Sequence, residues 1–385
     1  MMKNKILLIA TSLVLLLSSA CSSDGETDNS NEIVYTDQNC SKIVNIPDAN
    51  FKSKLLMGYP HCLTHEGYTV IDKNGDGEIQ VCEAENVAII TIDQSDINSI
   101  QGILEFRNIQ SISFQNNNIS APLDLTSLKR LKNVTLTNNN IPSLKVTGLS
   151  NLEYLACNDN NLQTLNVQSL TALKTLYCQY NQIKDLNIEG ANKLEQLYVY
   201  HNAISKLEVG QISGLRQLYA QDNNLTHLDL HGLKKLLDVN CSTNKLITLD
   251  LSGCTGLSDV NCEQNQLTDL KLTGCTTLNH LNCSINKLVN LDFSGLTSLA
   301  FVDCSSNKLV AVDFRDCVAM NSFSIDFNPN LKSMIVKNGS AAPQGISIYQ
   351  CPALTTICCD AVEQSEIMSD IQIYGYNCTV VTNCF

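Results

Sequence analysis

Nowhere does the sequence gather Lys and Arg into a cluster; it holds 25 of them against 38 Asp and Glu, a formal net charge of −13. Such a chain has no patch with which to track phosphates or anionic headgroups, which argues against nucleic acid as a partner. It also lacks an apolar run long enough to cross a bilayer as a mature helix, which takes about 20 residues. The N-terminal run, 6–17, falls short of that. A third absence is catalytic. His61, Cys62 and His65 stand together in a Cys-bearing loop without a third partner, and His227 and His231 fall in the strand region of a repeat. No nucleophile, base and orienting group are spaced for a reaction, so an enzyme is not expected.

What is present at the N-terminus is an address. Lys3 and Lys5 precede the apolar run, and Ser18, Ser19 and Ala20 are the small residues a peptidase needs before Cys21. Residues 1–20 are therefore expected to be a signal peptide. The small-residue run ending in Cys resembles the lipobox of bacterial lipoproteins, although Ser18 stands where that motif more often has Leu. The resemblance implies lipidation of Cys21, and several acyl chains on one residue hold far better than a single chain. Residues 22–31 are acidic and polar with no apolar residue, so the segment 21–45 begins as a flexible tether. That stretch resembles the acidic segment of surface-exposed lipoproteins of Bacteroidetes, which implies an outer-membrane lipoprotein facing the cell exterior and touching the membrane through its anchor alone.

The body of the chain is periodic. Asn recurs at 117, 139, 160, 181, 202, 223, 244, 265, 286, 307 and 328, with every step but the first 21 residues long. Around it the text reads L-x-x-L-x-(C/L)-x-x-N-x-L-x-x-L-x-L, as in Leu236, Val239, Cys241, Asn244, Leu246, Leu249 and Leu251. This pattern is the leucine-rich-repeat signature, and it predicts about eleven coils over 101–330. Alternation places Leu and Cys inward on a short strand, and stacked coils pair these strands into one parallel sheet on the concave face of an arc. With so few residues per coil there is no room for a convex helix, so short extended segments and turns are expected there, as in short internalin-like repeats. The Asn amide can satisfy the backbone of its own turn and of the next coil.

Six Cys share the inward strand position: Cys157, Cys178, Cys241, Cys262, Cys283 and Cys304. Elsewhere that position is Phe114, Leu136, Val199, Ala220 or Ile325, so it wants a hydrophobe, and a buried free thiol meets that need. Stacked strands lie about 4.8 Å apart, too far for the Cβ separation of a disulfide, so neighbouring coils are not expected to be bridged.

A solenoid needs caps over its apolar ends. The N-terminal cap is read at 46–100, where Asp48 can start a helix running to about Met57. Within it Asp72, Asn74, Asp76, Gly77, Glu78 and Glu83 follow the order D-x-N-x-D-G-E-I-x-x-x-E of an EF-hand loop. Oxygen donors at positions 1, 3 and 5, a backbone carbonyl at 7 and a bidentate Glu at 12 suit Ca2+ in a structural role. The C-terminal cap is read at 331–385, as strand, short helix near 361–371 and strand, with at least one oxidised pair among Cys351, Cys358, Cys359, Cys378 and Cys384. Cys40, Cys62 and Cys82 pose the same pairing question at the other end.

The I-P-D-A-N-F opening, the N-G-D-G-E-I loop, the L-x-C-S-x-N-x-L coils and the closing I-C-C-D, Y-G-Y-N-C and T-N-C together resemble leucine-rich-repeat surface lipoproteins of Bacteroidetes. The resemblance implies surface display and binding, and no defined ligand. Many such proteins continue into a sorting domain where this sequence stops at Phe385.

On the concave face the x between Leu and Cys reads Ser113, Thr135, Ala156, Tyr177, Tyr198, Tyr219, Asn240, Asn261, Asn282, Asp303 and Ser324. Flanking outward positions add Tyr154, Tyr180, Tyr200 and His201. Tyr offers large contact area at low entropy cost with a polar tip, which suits a protein hot spot and the face of a sugar alike. Stacked Tyr also stabilise a ladder by about 0.2 to 1 kcal/mol per pair. Two functions remain open: a surface module that binds a protein ligand or mediates adhesion, and a glycan-binding accessory of a polysaccharide-capture system. Because the tether has nothing to pack, Cys21→Ala is expected to move the protein out of the membrane fraction without changing its melting temperature. Retention of that variant in membranes, read by fractionation, would contradict the lipid anchor.

Overall fold

From Ser111 to Ser324 each coil contributes one three-residue strand whose middle residue is buried, as in Gln196–Tyr198 and Gln217–Tyr219. Leu197 faces Leu218 and Tyr198 faces Tyr219 in the parallel register, so equal positions of successive coils stack into columns. The computed structural model describes residues 40–384 apart from 59, 66, 68–69 and 340–344. Within it the strands join into a single fourteen-stranded sheet. The sheet opens with Cys62–Thr64 antiparallel to Val87–Thr91. From there it is parallel throughout, to Ile346–Ser347. The ladder thus extends on both sides of the coils marked by the recurring Asn. Cys21, the signal peptide and residues 22–39 of the tether lie outside the described residues.

The Leu, Ile, Val and Cys that point inward merge into one continuous core. Burying each large aliphatic contributes about 1.5 to 3 kcal/mol. All six strand-position thiols are buried and unbridged. Burial pushes the thiols of Cys157 and Cys241 up to about 12, so they stay protonated. A second thiol column, Cys254, Cys275 and Cys317, lies on the convex turns. There Cys254 and Cys275 donate Sγ–H to the carbonyls of Leu230 (3.1 Å) and Leu251 (3.2 Å) one coil back.

The recurring Asn closes the turn after each strand. Asn244 donates Nδ2–H to the carbonyls of Ala220 (2.9 Å) and Cys241 (3.1 Å) and accepts the N–H of Leu225 on Oδ1 (2.9 Å). It therefore serves its own coil and the preceding one, whereas the sequence suggested the next. The residue before it sits in the left-handed region whatever its type, including Thr243 (φ 53°) and the β-branched Ile285 (φ 54°). That conformation is unfavourable by about 1 to 3 kcal/mol and persists only where surrounding bonds fix it.

The convex side carries two- and four-stranded parallel sheets in place of helices. They are interrupted at Leu291 and, earlier in the chain, at Leu207. Neighbouring coils turn through a left-handed glycine, Gly190 (φ 78°) and Gly232 (φ 71°), where this coil has Gln211 outside that region. A hollow of about 640 Å3 opens there, between 184–192 and 205–212.

Both ends are capped. At the N-terminus, α1 (Ala49–Met57) starts on Asp48, whose carboxylate accepts from Phe51 N and, from the first coil, Asn98 N and Ser99 N. Phe51 packs edge-on against Phe114 (5.5 Å). A Cys40–Cys82 disulfide ties the segment down. At the C-terminus, Cys358 and Cys384 form a disulfide. The helix there spans Gln364–Tyr374. It begins three residues later than the sequence suggested because Glu363 accepts the N–H of Asp360 and the intervening residues close a turn.

Candidate ligand-binding face

The sheet pleat turns three columns outward, headed by Ser111, Ser113 and Gln115 and repeating with each coil. Their N-terminal ends present little surface. Ser113, Thr135 and Ala156 are buried, and Ser113 Oγ donates to Asp93. From the third coil the columns fill with rings. Tyr154 meets Tyr177 edge to face (5.7 Å), Tyr177 meets Tyr198 likewise (4.7 Å), and Tyr198 stacks on Tyr219 (4.6 Å). A second row lies beside it, in which Tyr180 contacts Tyr200 (5.3 Å) and stacks on His201 (4.5 Å). The seven residues singled out in the sequence thus form two adjoining rows of rings.

Their polar tips are held. Tyr177 and Tyr198 donate to the carboxamides of Gln196 and Gln217 (3.2 Å each), and Gln196 Nε2 donates to Gln217 (2.7 Å). Tyr219 donates to Asp238, and His201 Nδ1 pairs with Asp222. Loss of solvation raises the phenols of Tyr154 and Tyr198 to about 12, so the row presents neutral hydroxyls at physiological pH.

The rings run into a groove of about 610 Å3, lined by Tyr219, Asp238, Asp259, His280, Phe301 and Asp303 over an Asn240, Asn261 and Asn282 floor. His280 stacks flat on Phe301 (4.7 Å) and sits 3.1 Å from Asp259. Burial, with the neighbouring Asp259 charge, raises the Asp238 carboxyl above its usual range even though Tyr219 donates to it. Asp238, Asp259, His280 and Phe301 were not among the sequence candidates. They occupy the outward column that also holds Tyr154, and stepping from Tyr154 by 21 residues would have found them.

The EF-hand-like loop is locally organised. Asp72 accepts from Gly75 N (2.7 Å) and Gly77 N (2.9 Å), and Asp76 accepts from Glu78 N (2.8 Å) and from the side chains of Asn74 and Gln80. Gly75 (φ 72°) and Gly77 (φ 78°) supply the left-handed turns. The oxygen-only donor set fits a hard cation. Glu83, however, uses both carboxylate oxygens on backbone amides, Lys73 N (2.7 Å) and Gln80 N (2.9 Å), and caps α2 (Val81–Glu85). Glu78 pairs with Lys52 at 2.6 Å, which leaves its carbonyl as the loop donor. Among the described residues no three His, Cys, Asp or Glu side chains are arranged to hold a metal ion. His61 and His65 each place a ring nitrogen against a backbone carbonyl, of Thr91 (3.2 Å) and Asn108 (3.0 Å).

No family model matches the sequence, and no curated protein does. Solved structures do. The functional domain of InlJ from Listeria monocytogenes, described as including a cysteine ladder, superposes with a TM-score of 0.66 at 24% identity over 83% of this chain and 75% of that one. The fold is a leucine-rich-repeat solenoid. The L. monocytogenes internalin InlF matches with a TM-score of 0.60 at 19% identity, over 81% and 95% of the two chains. The Leptospira interrogans leucine-rich-repeat protein LIC12759 matches with a TM-score of 0.50 at 22% identity, over 73% and 74%.

Proposed function

We propose that this leucine-rich-repeat chain is a surface-displayed lipoprotein that binds a protein ligand on the concave face of its solenoid. The observation that carries the reading is the double row of rings from Tyr154 to Tyr219, continuous with a groove and held by its own hydrogen bonds. A surface whose aromatic anchors are already ordered loses little entropy on binding. A glycan ligand is the second reading, favoured by the near-parallel Tyr198–Tyr219 pair (24°) beside the Asn240–Asn261–Asn282 column, since rings and amides are what sugar faces and hydroxyls meet.

The lipid on Cys21 and Ca2+ in the Asp72–Glu83 loop belong to the same proposal. The ion would be held by Asp72, Asn74, Asp76, the Glu78 carbonyl and Glu83 once Glu83 turns from its amides, and would brace the cap over the first coil. Calorimetry is expected to show a lower melting temperature in EDTA than in calcium, because a ligand bound only to the folded state stabilises it. Identical melting in both would remove calcium from the account.

For the ligand, Tyr198→Ala is the deciding variant, tested on a glycan array and in pull-downs of surface proteins. It is expected to weaken binding by about 2 kcal/mol or more, as a hot spot does, while stability stays within about 1 kcal/mol, the scale of a surface pair. A variant that melts early yet binds normally would make the Tyr rows ladder structure alone.

A further inference from the structure

On the three outward columns no Lys or Arg stands at any position between residues 111 and 326, while Asp238, Asp259, Glu263, Asp303 and Asp326 do. The basic residues of the repeats are placed elsewhere, as in the edge pair of Lys174 with Glu153 or the convex Lys271 beside Asp250. In the groove, Asp238 and Asp259 face each other in register on adjacent strands. Like charges directly opposite disfavour the pairing. Among the described residues, the Asp238 carboxylate accepts from the Tyr219 hydroxyl, and Asp259 lies 3.1 Å from His280 Nδ1.

A second observation lies under the rings. Gln179 is 6% exposed; its carboxamide meets the Tyr200 hydroxyl, but among the described residues its Oε1 has no hydrogen-bond partner. The Oε1 of Gln221, two coils on, lacks one as well. These carboxamides flank Tyr200 in one column. A buried acceptor left without a donor is unfavourable, and native structures rarely keep one without a reason. The terminal torsion of a carboxamide is soft, so a donor laid over Tyr200 can draw the oxygen outward.

We propose that the concave face holds an extended basic peptide segment of a partner protein. Its Lys or Arg side chains lie on the Tyr180–Tyr200 rings and between Asp238 and Asp259 against the His280–Phe301 shelf, and its N–H groups satisfy Gln179 and Gln221. The proposal rests on the concave-face reading and adds the chemistry of the ligand. Everything unsatisfied on this face asks for donors and positive charge. An ammonium or guanidinium is donor-only and is drawn to aromatic faces. A neutral sugar would leave the carboxylate pair uncompensated. The span fits a peptide too: from the Gln179 coil to the Asp303 coil is six strand steps, about 29 Å at 4.8 Å each, or about nine extended residues.

The test is fluorescence anisotropy on the full chain with a labelled peptide of alternating Arg and Gly, about ten residues long to match the span. The same peptide with Glu for Arg and a neutral cello-oligosaccharide run in parallel. The Arg peptide is expected to bind with strong salt dependence and the Glu peptide not to bind. The double variant Asp238→Asn with Asp259→Asn should weaken the Arg peptide by about tenfold or more. Gln179→Leu should weaken it as well, with no fall in melting temperature, because the variant removes an unpaired acceptor. Equal binding of the Arg and Glu peptides, no binding of either, or indifference of the Arg peptide to the Asp pair would overturn the proposal. Oligosaccharide binding lost in Tyr198→Ala, with no Arg-peptide binding, would overturn it and leave concave-face binding standing. An Arg peptide that binds regardless of both Tyr198→Ala and the Asp pair would remove both.

Discussion

Every coil must leave a three-residue strand, turn and return at the height of its neighbour, and the turn buries backbone groups that neither ladder reaches. In this chain one side chain per coil meets that demand. Asn265 accepts the N–H of Leu246 and donates to the carbonyls of Cys241 and Cys262, and the same three bonds recur from Asn139 to Asn328. Only a carboxamide has two donors and an acceptor in so small a volume. The constraint is strong enough to hold residues such as Thr243 and Ile285 in a left-handed conformation that they disfavour in isolation. It also ties each coil to its neighbour: a coil that keeps its Asn keeps its strand register, and register turns sequence columns into surfaces.

The face follows from that register. Tyr177, Tyr198 and Tyr219 are neighbours because they are one coil apart, and so are Asp238 and Asp259. The inward partner of each row is indifferent to chemistry so long as it is apolar, which is why Cys178, Val199 and Ala220 follow one another without consequence for the surface. Core packing and surface chemistry are thereby assigned to alternate residues of the same strand. The structure can vary its outward columns, from rings to amides to carboxylates, without renegotiating the core.

Much of this was legible in the residues. The 21-residue Asn spacing contained the architecture, and the mixture of Cys with Val, Ala and Leu at one inward position contained the unbridged thiols. What escaped depended on geometry between coils. The pairing of Cys40 with Cys82 and Cys358 with Cys384 brings together residues that no spacing rule connects. The groove at Asp238, His280 and Phe301 lies on the outward column of Tyr154, where no second Tyr marks it in the sequence. The hollow beside Gln211 on the convex side needed the neighbouring coils in place. Likewise, Glu83 reads as a loop ligand in sequence and acts in the structure as a helix cap, because one carboxylate can do either.

The Asn side chain is the tie between coils. Asn223 accepts the N–H of Ile204 at 2.9 Å and donates to the carbonyl of Val199 at 3.0 Å, both in the preceding coil. The most direct test is chemical denaturation of Asn223→Ala. Leaving those buried groups unpaired is expected to lower the unfolding free energy by about 1 to 3 kcal/mol. A variant as stable as the parent would show that strand pairing and the apolar core hold the coils in register without the Asn ladder.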